Sequence, residues 1–350
     1  MDNNLKFILV FILAAFLSFL FTKIIIYLSL KFKILDYPQG ERKNHKEAIP
    51  LLGGLAIYAS FLITILFLYS QNQLLDKRMN IEMIVYFLLS GFILMIFGYL
   101  DDKYNLKAKY SILGPILAIL LIVIFGGLKV DFITGLNNNI LYFYNITFLP
   151  YLISFIWLLG MTYTTKLLDG LDGLTASIGC IASFIIFFVS LSWDITGSTT
   201  SLLSLVLAGS IFGFLILNWY PAKVFLGEGG SVFIGFALGV LAIISGSKIA
   251  TALLVMAFPI LDIIFVIFSR LKKKEKIYLG DKEHLHFRLR ALGLSPKQVV
   301  FFMSGIGLLF GLVSLFLTTK SKVSVLFILL ILMFLLSSFL NSKLKKNESI

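Results

Sequence analysis

Long apolar runs, separated by short polar connections, follow one another along most of the chain. A transmembrane helix needs about 20 apolar residues, and runs of about that length occur eleven times. The runs are continuous rather than alternating, which favours helices over β-barrel strands. The pattern predicts an all-α integral membrane protein: a polytopic bundle of about 10–11 transmembrane helices in one domain, 1–350. The predicted spans are Phe7–Leu30, Leu51–Tyr69, Ile81–Leu100, Ile112–Leu128, Phe148–Thr165, Leu174–Trp193, Thr200–Leu217, Val232–Ser247, Ile249–Ser269, Val299–Thr318 and Val323–Leu340.

The composition leads to the same class of protein. Hydrophobic residues make up 59% of the 350 residues, charged residues only 14%, and the mean hydropathy is +0.98. A soluble domain of this size does not need so much apolar side chain for one core. The first run is too long for a signal-peptide core and lacks a small-residue cleavage site, so we expect it to stay as a helix.

The lysines and arginines predict an orientation. Of 30 such residues, 22 fall in alternate connections and seven in the others. Because positive residues prefer the cytoplasmic side, the N-terminus is expected outside and the C-terminus inside, in a multi-pass protein of the plasma (inner) membrane. The net charge of +12 then marks a face that attracts anionic lipid, and no nucleic acid partner is needed to explain it. The predicted cytoplasmic loops cover about 31–50, 101–111, 166–173, 218–231 and 270–298.

Four aspartates lie in two of these predicted inner connections. Asp101 and Asp102 follow the third apolar run, where negative charge opposes the helix dipole; the alternative to a functional role is a polar stop at the membrane interface. Asp169 and Asp172 are three residues apart in DGLDG and would share one face of a helix that glycines keep thin. The alternative there is a solvated turn. Because carboxylates at bilayer depth are usually functional, we predict a role for all four.

A glycine-rich stretch, FLGEGGS, surrounds Glu228 and opens the eighth predicted helix near Ser231. Free amides at a helix N-terminus, such as that of Gly229, can bind phosphate. Phe225 could stack on a base. The alternative is that the glycines only allow close helix packing.

A histidine-containing stretch, DKEHLHFRLR, follows the ninth predicted helix. His284 and His286, together with Arg288, suit a diphosphate better than a zinc ion, because no further cysteine or histidine lies nearby. The alternative is an ordinary basic segment beside the membrane. Carboxylates and phosphate-binding elements on one membrane face indicate metal-assisted phosphoryl transfer, with Mg²⁺ as the expected ion and Mn²⁺ as the alternative.

In this order, LDD, DGLDGL, FLGEGGS and DKEHLHFRL resemble the motifs of the polyprenyl-phosphate N-acetylhexosamine-1-phosphate transferases, the superfamily that includes MraY, WecA and TagO. The resemblance covers nearly the whole chain. It implies transfer of a sugar 1-phosphate from a UDP-sugar to polyprenyl phosphate, with release of UMP. The histidine stretch is closer to the WecA and TagO branch, which implies a UDP-N-acetylhexosamine donor; the alternative is the muramoyl-pentapeptide donor.

The resemblance also implies roles for individual residues. Asp101 and Asp102 match the essential catalytic aspartates, and Asp169 and Asp172 match residues that shape the nucleotide-sugar site. Glu228 and Asp172 are the implied metal ligands. The implied substrate-binding residues are Lys43, His45, Lys166, Phe225, Gly229, Ser231, His284, His286 and Arg288.

Three motifs depart from the family pattern. Glu228 replaces an aspartate, Tyr163 and Lys166 replace the two asparagines of Asn-x-x-Asn, and Phe287 replaces a histidine. Because lysine cannot bind Mg²⁺ but can pair with a carboxylate, we predict that Lys166 and Glu228 face each other. The alternative is a slow or inactive member of the family.

Three other functional classes compete with the transferase. A transporter would carry its acids near the bilayer midplane, and an intramembrane protease would carry paired aspartates on two transmembrane helices. The third alternative is a lipid scaffold that carries out no catalysis. The oligomeric state stays open, with a homodimer as one alternative.

Overall fold

The computed structural model describes residues 3–38, 47–74, 80–134, 140–143, 147–193, 198–245, 249–275 and 283–348. The predicted substrate contacts Lys43 and His45 lie outside these ranges. The helices are α1 (Asn3–Lys31), α2 (Gly53–Ser70), α3 (Ile81–Tyr104), α4 (Ala108–Ser111), α5 (Leu113–Leu120, continued by a π-helical turn, Leu121–Phe125), α6 (Leu149–Leu168), α7 (Leu174–Trp193), α8 (Thr199–Asn218), α9 (Gly227–Ile244), α10 (Ile249–Val255), α11 (Ala257–Lys273), α12 (Leu285–Ala291), α13 (Pro296–Phe316) and α14 (Thr319–Glu348). The strands are β1 (Leu35–Asp36), β2 (Ile49–Pro50), β3 (Phe132–Thr134) and β4 (Ile140–Tyr142).

Within the described ranges, ten helical segments are long and apolar enough to cross a membrane, and the bent pair α10–α11 is an eleventh candidate. The prediction of an all-α polytopic bundle with about 10–11 spans is therefore confirmed. The short strands form two antiparallel pairs, β1 with β2 and β3 with β4.

Helix α9 lies at the centre of the bundle, and all its residues from Gly229 to Ile244 are buried. It packs against α2, α3, α6, α7 and α8. Glycine pairs bring the backbones together: a Cβ on Gly54 would lie 2.2 Å from the Cα of Gly230, and one on Gly98 would lie 2.1 Å from the Cα of Gly229. These contacts fix where α9 begins relative to α2 and α3. The helix therefore starts at Gly227, whereas we predicted a span that begins at Val232.

One predicted helix is broken, four residues before a proline. The ninth span divides into α10 and α11, which meet at 77°; the ring of Pro259 would clash with the carbonyl of Val255, where α10 ends. The predicted fourth span, Ile112–Leu128, is observed as α5 and its π-helical continuation. The short helix α4 ends just before this span, at Ser111, and Pro115 lies in the first turn of α5.

Because the long helices alternate in direction, α3, α6 and α8 end on the same face of the bundle on which α2, α7 and α9 begin. We call this the site face. The β1–β2 pair lies there, and the carbonyl of Pro50 accepts a hydrogen bond from the amide of Phe225 at 2.8 Å. The chain between α1 and α2 is thereby attached to the connection between α8 and α9.

Candidate active site

A cavity of about 770 Å³ opens on the site face. Its described lining includes seven carboxylate side chains but one lysine, Lys166, and no arginine. The cavity is therefore strongly negative. The seven acids are Asp36, Glu47, Asp101, Asp102, Asp169, Asp172 and Glu228.

Asp101 and Asp102 occupy the last turn of α3, and their side chains have different partners. Successive residues of a helix are rotated by about 100°. The carboxylate of Asp101 accepts hydrogen bonds from the amide of Leu106 at 3.0 Å and the hydroxyl of Ser111 at 2.5 Å. That of Asp102 accepts the amide of Glu228 at 3.0 Å, so it caps α9. Both aspartates nonetheless line the cavity.

Lys166, in the last turn of α6, lies between these acids. Its Nζ is 2.8 Å from Oε2 of Glu228 and 3.8 Å from Oδ2 of Asp101, and it donates to the Ser111 hydroxyl at 2.8 Å. The predicted pairing of Lys166 with Glu228 is therefore observed. The lysine links α3, α4, α6 and α9 through one positive charge.

The DGLDG stretch forms the loop between α6 and α7, so the prediction of a shared helical face was wrong. Gly173 has φ +77°, a conformation that favours glycine, and its amide donates to Oδ1 of Asn218 at 3.0 Å. Oδ2 of Asp172 accepts the amide of Ala222 at 3.0 Å. The backbone is thus a turn, but Asp169 and Asp172 both line the cavity.

The environment of Asp169 favours its protonated form. Desolvation by the surrounding protein is the main cause that raises the pKa of this carboxyl, and the charges of Glu228 and Asp172 raise it further. Water reaches the exposed side chain through the open side of the cavity and reduces this shift without reversing it.

The glycine-rich stretch contributes to the site differently from our expectation. Phe225 and Ser231, for which we predicted substrate contacts, both line the cavity. Gly229 instead is buried against Gly98, and the amide of Glu228 donates its hydrogen bond to Asp102. The predicted phosphate site at these amides is therefore corrected: the glycines serve close packing, and a carboxylate caps the helix.

The histidine stretch, for which we predicted that His284, His286 and Arg288 contact substrate, lies beside the cavity. All three side chains are buried, and none is among the described residues that line the cavity. His284 lies 2.9 Å from Asp262, and Arg288 lies 3.5 Å from the same carboxylate. Phe287, the next residue after His286, does line the cavity.

Sequence reasoning missed several residues of this region. Asp262 was detectable as an acid within the apolar run PILDIIFVIF, but its partners come from a distant segment. Asn218 supports the DGLDG loop by accepting from Gly173 and by donating to the carbonyl of Val224 at 2.8 Å. Asp36 and Glu47 also line the cavity, although no local pattern indicates this.

The fold and the site define a polytopic membrane protein with a strongly acidic cavity at one membrane face. Residues 84–246 match the family model described as glycosyl transferase family 4. The probable undecaprenyl-phosphate N-acetylglucosaminyl 1-phosphate transferase of Bacillus subtilis (strain 168) is 31% identical over 340 residues, which cover 95% of this chain and 90% of that protein. The chain belongs to glycosyl transferase family 4, among the polyprenyl-phosphate N-acetylhexosamine-1-phosphate transferases. The resemblance in the motifs is thereby confirmed.

Two further relatives cover both donor types in this family. The decaprenyl-phosphate N-acetylglucosaminephosphotransferase of Mycobacterium leprae (strain TN) is 30% identical over 319 residues, covering 83% of this chain and 79% of the relative. The phospho-N-acetylmuramoyl-pentapeptide-transferase of Halalkalibacterium halodurans is 29% identical over 332 residues, covering 88% and 97%.

Proposed function

We propose that this protein transfers an N-acetylhexosamine 1-phosphate from a UDP-sugar to polyprenyl phosphate of the undecaprenyl class, giving polyprenyl-diphosphate-sugar and UMP. This would be the first membrane step in the synthesis of a cell-envelope polysaccharide. The observation that carries the proposal is the meeting of carboxylates from four connections in one cavity at a membrane face. A charged lipid head and a nucleotide can both reach that position.

The reaction exchanges the phosphoanhydride bond of the donor for a phosphoanhydride bond in the lipid product. An oxygen of the lipid phosphate attacks the sugar-bearing phosphorus of the UDP-sugar, and the bond from this phosphorus to the bridging oxygen of UMP breaks. UMP leaves with that oxygen and its electron pair. Catalysis then depends on positioning and charge neutralisation more than on covalent chemistry. We assign Asp101 and Asp102 to the lipid phosphate, and Asp169 and Asp172 to the nucleotide-sugar.

The charge of the cavity supports a divalent cation, because two phosphorylated substrates must enter among seven carboxylates. Among the described residues, no group of three or more acid, histidine or cysteine side chains is arranged to hold a metal by itself. Mg²⁺ is usually held by one or two carboxylates together with substrate phosphates, so the donor set fits this ion, with Mn²⁺ as the alternative. Asp172 and Glu228 would hold it, and it would neutralise developing charge on the phosphates.

Lys166 would supply a second positive charge to the diphosphate. Its ammonium is held by Glu228 and Ser111, so it needs little reorganisation to face an incoming phosphate oxygen. Phe225 offers an aromatic surface on the cavity wall for uracil. Its main chain is held by hydrogen bonds with Pro50 and Gly53.

We further propose that the site face is cytoplasmic, with the N-terminus outside the inner membrane. The uneven lysine and arginine distribution supports this orientation. A cytoplasmic site face would give the cavity direct access to soluble UDP-sugar.

Two alternatives are less well supported. A muramoyl-pentapeptide donor is named for relatives such as that of H. halodurans, while the N-acetylglucosamine name belongs to a relative of higher identity. An ion-coupled transporter would place its acids midway along the helices, whereas Asp101, Asp169 and Glu228 lie at helix ends.

The test is UMP release by the purified protein with undecaprenyl phosphate and a panel of UDP-sugars, including the muramoyl-pentapeptide donor. We expect release from UDP-N-acetylglucosamine or a related UDP-N-acetylhexosamine. It should require the lipid phosphate, stop with EDTA and return with Mg²⁺ or Mn²⁺. Release without lipid phosphate, or no release with any donor, would contradict the proposed transfer.

A further inference from the structure

Helix α12 has only seven residues, Leu285–Ala291, and follows a described segment that begins at Glu283. An isolated helix this short is not stable in water. Its position must therefore come from what its side chains and its first amide bind.

Asp262, on α11, binds the beginning of α12 at two points. Its Oδ1 accepts the amide of Leu285 at 2.9 Å, and its Oδ2 lies 2.9 Å from Nδ1 of His284. Because a carboxylate can only accept, the His284 ring carries a proton on Nδ1. Asp262 is 4% exposed, so water does not compete with these contacts.

Arg288 connects the same acid to another helix. Its Nη2 lies 3.5 Å from Oδ1 of Asp262, and its Nη1 donates to the hydroxyl of Ser337, on α14, at 2.6 Å. The guanidinium also lies 5.5 Å from the centre of the Phe265 ring. These contacts hold α12 between α11 and α14.

The opposite side of α12 meets the DGLDG loop. The rings of His284 and His286 are parallel, with their centres 5.7 Å apart. A Cβ on Gly170 would lie 2.3 Å from Nε2 of His286 and 3.1 Å from Cζ of Phe287. A shift of α12 would therefore be transmitted to the loop that carries Asp169 and Asp172.

We propose that Asp262, His284 and Arg288 form a buried positioning network. The network sets α12, through His286 and Phe287, against Gly170 and thereby fixes the two aspartates of the DGLDG loop. In this network His284 and Arg288 act as positioning residues, through Asp262 and α12. The activity arm of the test rests on the proposed transferase function, and a second arm does not.

The first arm compares three variants of His284. In His284→Asn the amide nitrogen takes the place of Nδ1 and can donate to Asp262, whereas His284→Ser caps α12 but is too short to reach. His284→Ala does neither. We expect the Asn variant to retain most of the UMP release and the Ser and Ala variants to lose up to about 100-fold, mainly in kcat, because the acids are misplaced. An Asn variant as slow as the Ala variant would overturn the proposal.

The second arm measures thermal unfolding of the purified protein and needs no substrate. Gly170→Ala introduces a methyl group against His286, and we expect it to lower Tm in the wild type. In the His284→Ser background α12 can yield, so the same change should cost clearly less. An equal decrease of Tm in the two backgrounds would show that the position of α12 is not transmitted to the DGLDG loop. A wild type without UMP release would reject the proposed function, while this arm would still decide the network.

Discussion

Two acidic regions of the molecule lie close together on the site face and are organised in opposite ways. The cavity collects seven carboxylates around Lys166. The Asp262 region contains one carboxylate surrounded by His284, Arg288 and the amide of Leu285. In the cavity, the carboxylates outnumber the positive side chains among the described lining residues. In the Asp262 region, the protein supplies enough hydrogen-bond donors for both oxygens of the one carboxylate.

This difference distinguishes a site from a structural element. Like charges gathered in a partly buried space cost folding free energy, and proteins tolerate that cost where a ligand or an ion will relieve it. A buried acid whose acceptor positions are filled by the protein stabilises the local packing. Removing a charge should therefore have opposite consequences in the two regions.

The largest effect is expected for Asp101→Asn. The change keeps the side-chain size but removes a cavity charge, so turnover should fall by about 10³-fold or more, with Tm unchanged or raised. The measurements are UMP release and thermal unfolding, together with membrane insertion, which should be normal. Asp131→Asn is the matched control, since Asp131 pairs with Lys129 at 3.2 Å outside the cavity. Full activity of Asp101→Asn would remove the catalytic assignment.

Asp262→Asn should show the reverse order of effects. Removing one partner of a buried ion pair costs up to about 3–5 kcal/mol, so the loss should be visible as a lower unfolding temperature. Asp172→Asn serves as the control, because it removes a similar charge from the open cavity and should not lower Tm. If both variants unfold at the wild-type temperature, the two regions do not differ in the way that we infer.

A smaller effect is expected for Lys166→Met, which keeps the length of the side chain. Loss of a charge-assisted hydrogen bond network should reduce turnover by about tenfold. The cavity also becomes more negative, so the Mg²⁺ concentration that gives half-maximal activity should fall. Titration of UMP release with Mg²⁺ measures both, and Lys129→Met provides the control outside the cavity. An unchanged Mg²⁺ titration would show that the charge of Lys166 does not influence metal binding in the cavity.

The sequence predicted the spans and most cavity residues because both depend on local patterns. Apolar length identifies a helix, and the positions of these spans directly indicate the acids at the ends of α3 and α6 and at the start of α9. The start of α9 was missed because Gly54 and Gly98, from other helices, convert a glycine-rich loop into a packed helix end. The role of His284 was missed for a similar reason: Asp262 lies 22 residues away on another helix.

The smallest predicted effect is the pH dependence of stability that Asp169 contributes. Because desolvation by the surrounding protein and the neighbouring charges raise the pKa of Asp169 in the folded protein, the folded state holds this proton more tightly than the unfolded chain. The stability associated with the proton is complete below the unfolded pKa and is lost as pH rises through the folded pKa. Asp169→Asn should therefore leave Tm unchanged near pH 4 and raise it by roughly 1 °C at pH 8, the water-filled cavity keeping the difference small. Thermal unfolding of both proteins across this range measures the effect, with Asp131→Asn as the exposed control. A Tm increase that is the same at both pH values would mean that the ionised form of Asp169 does not destabilise the folded protein.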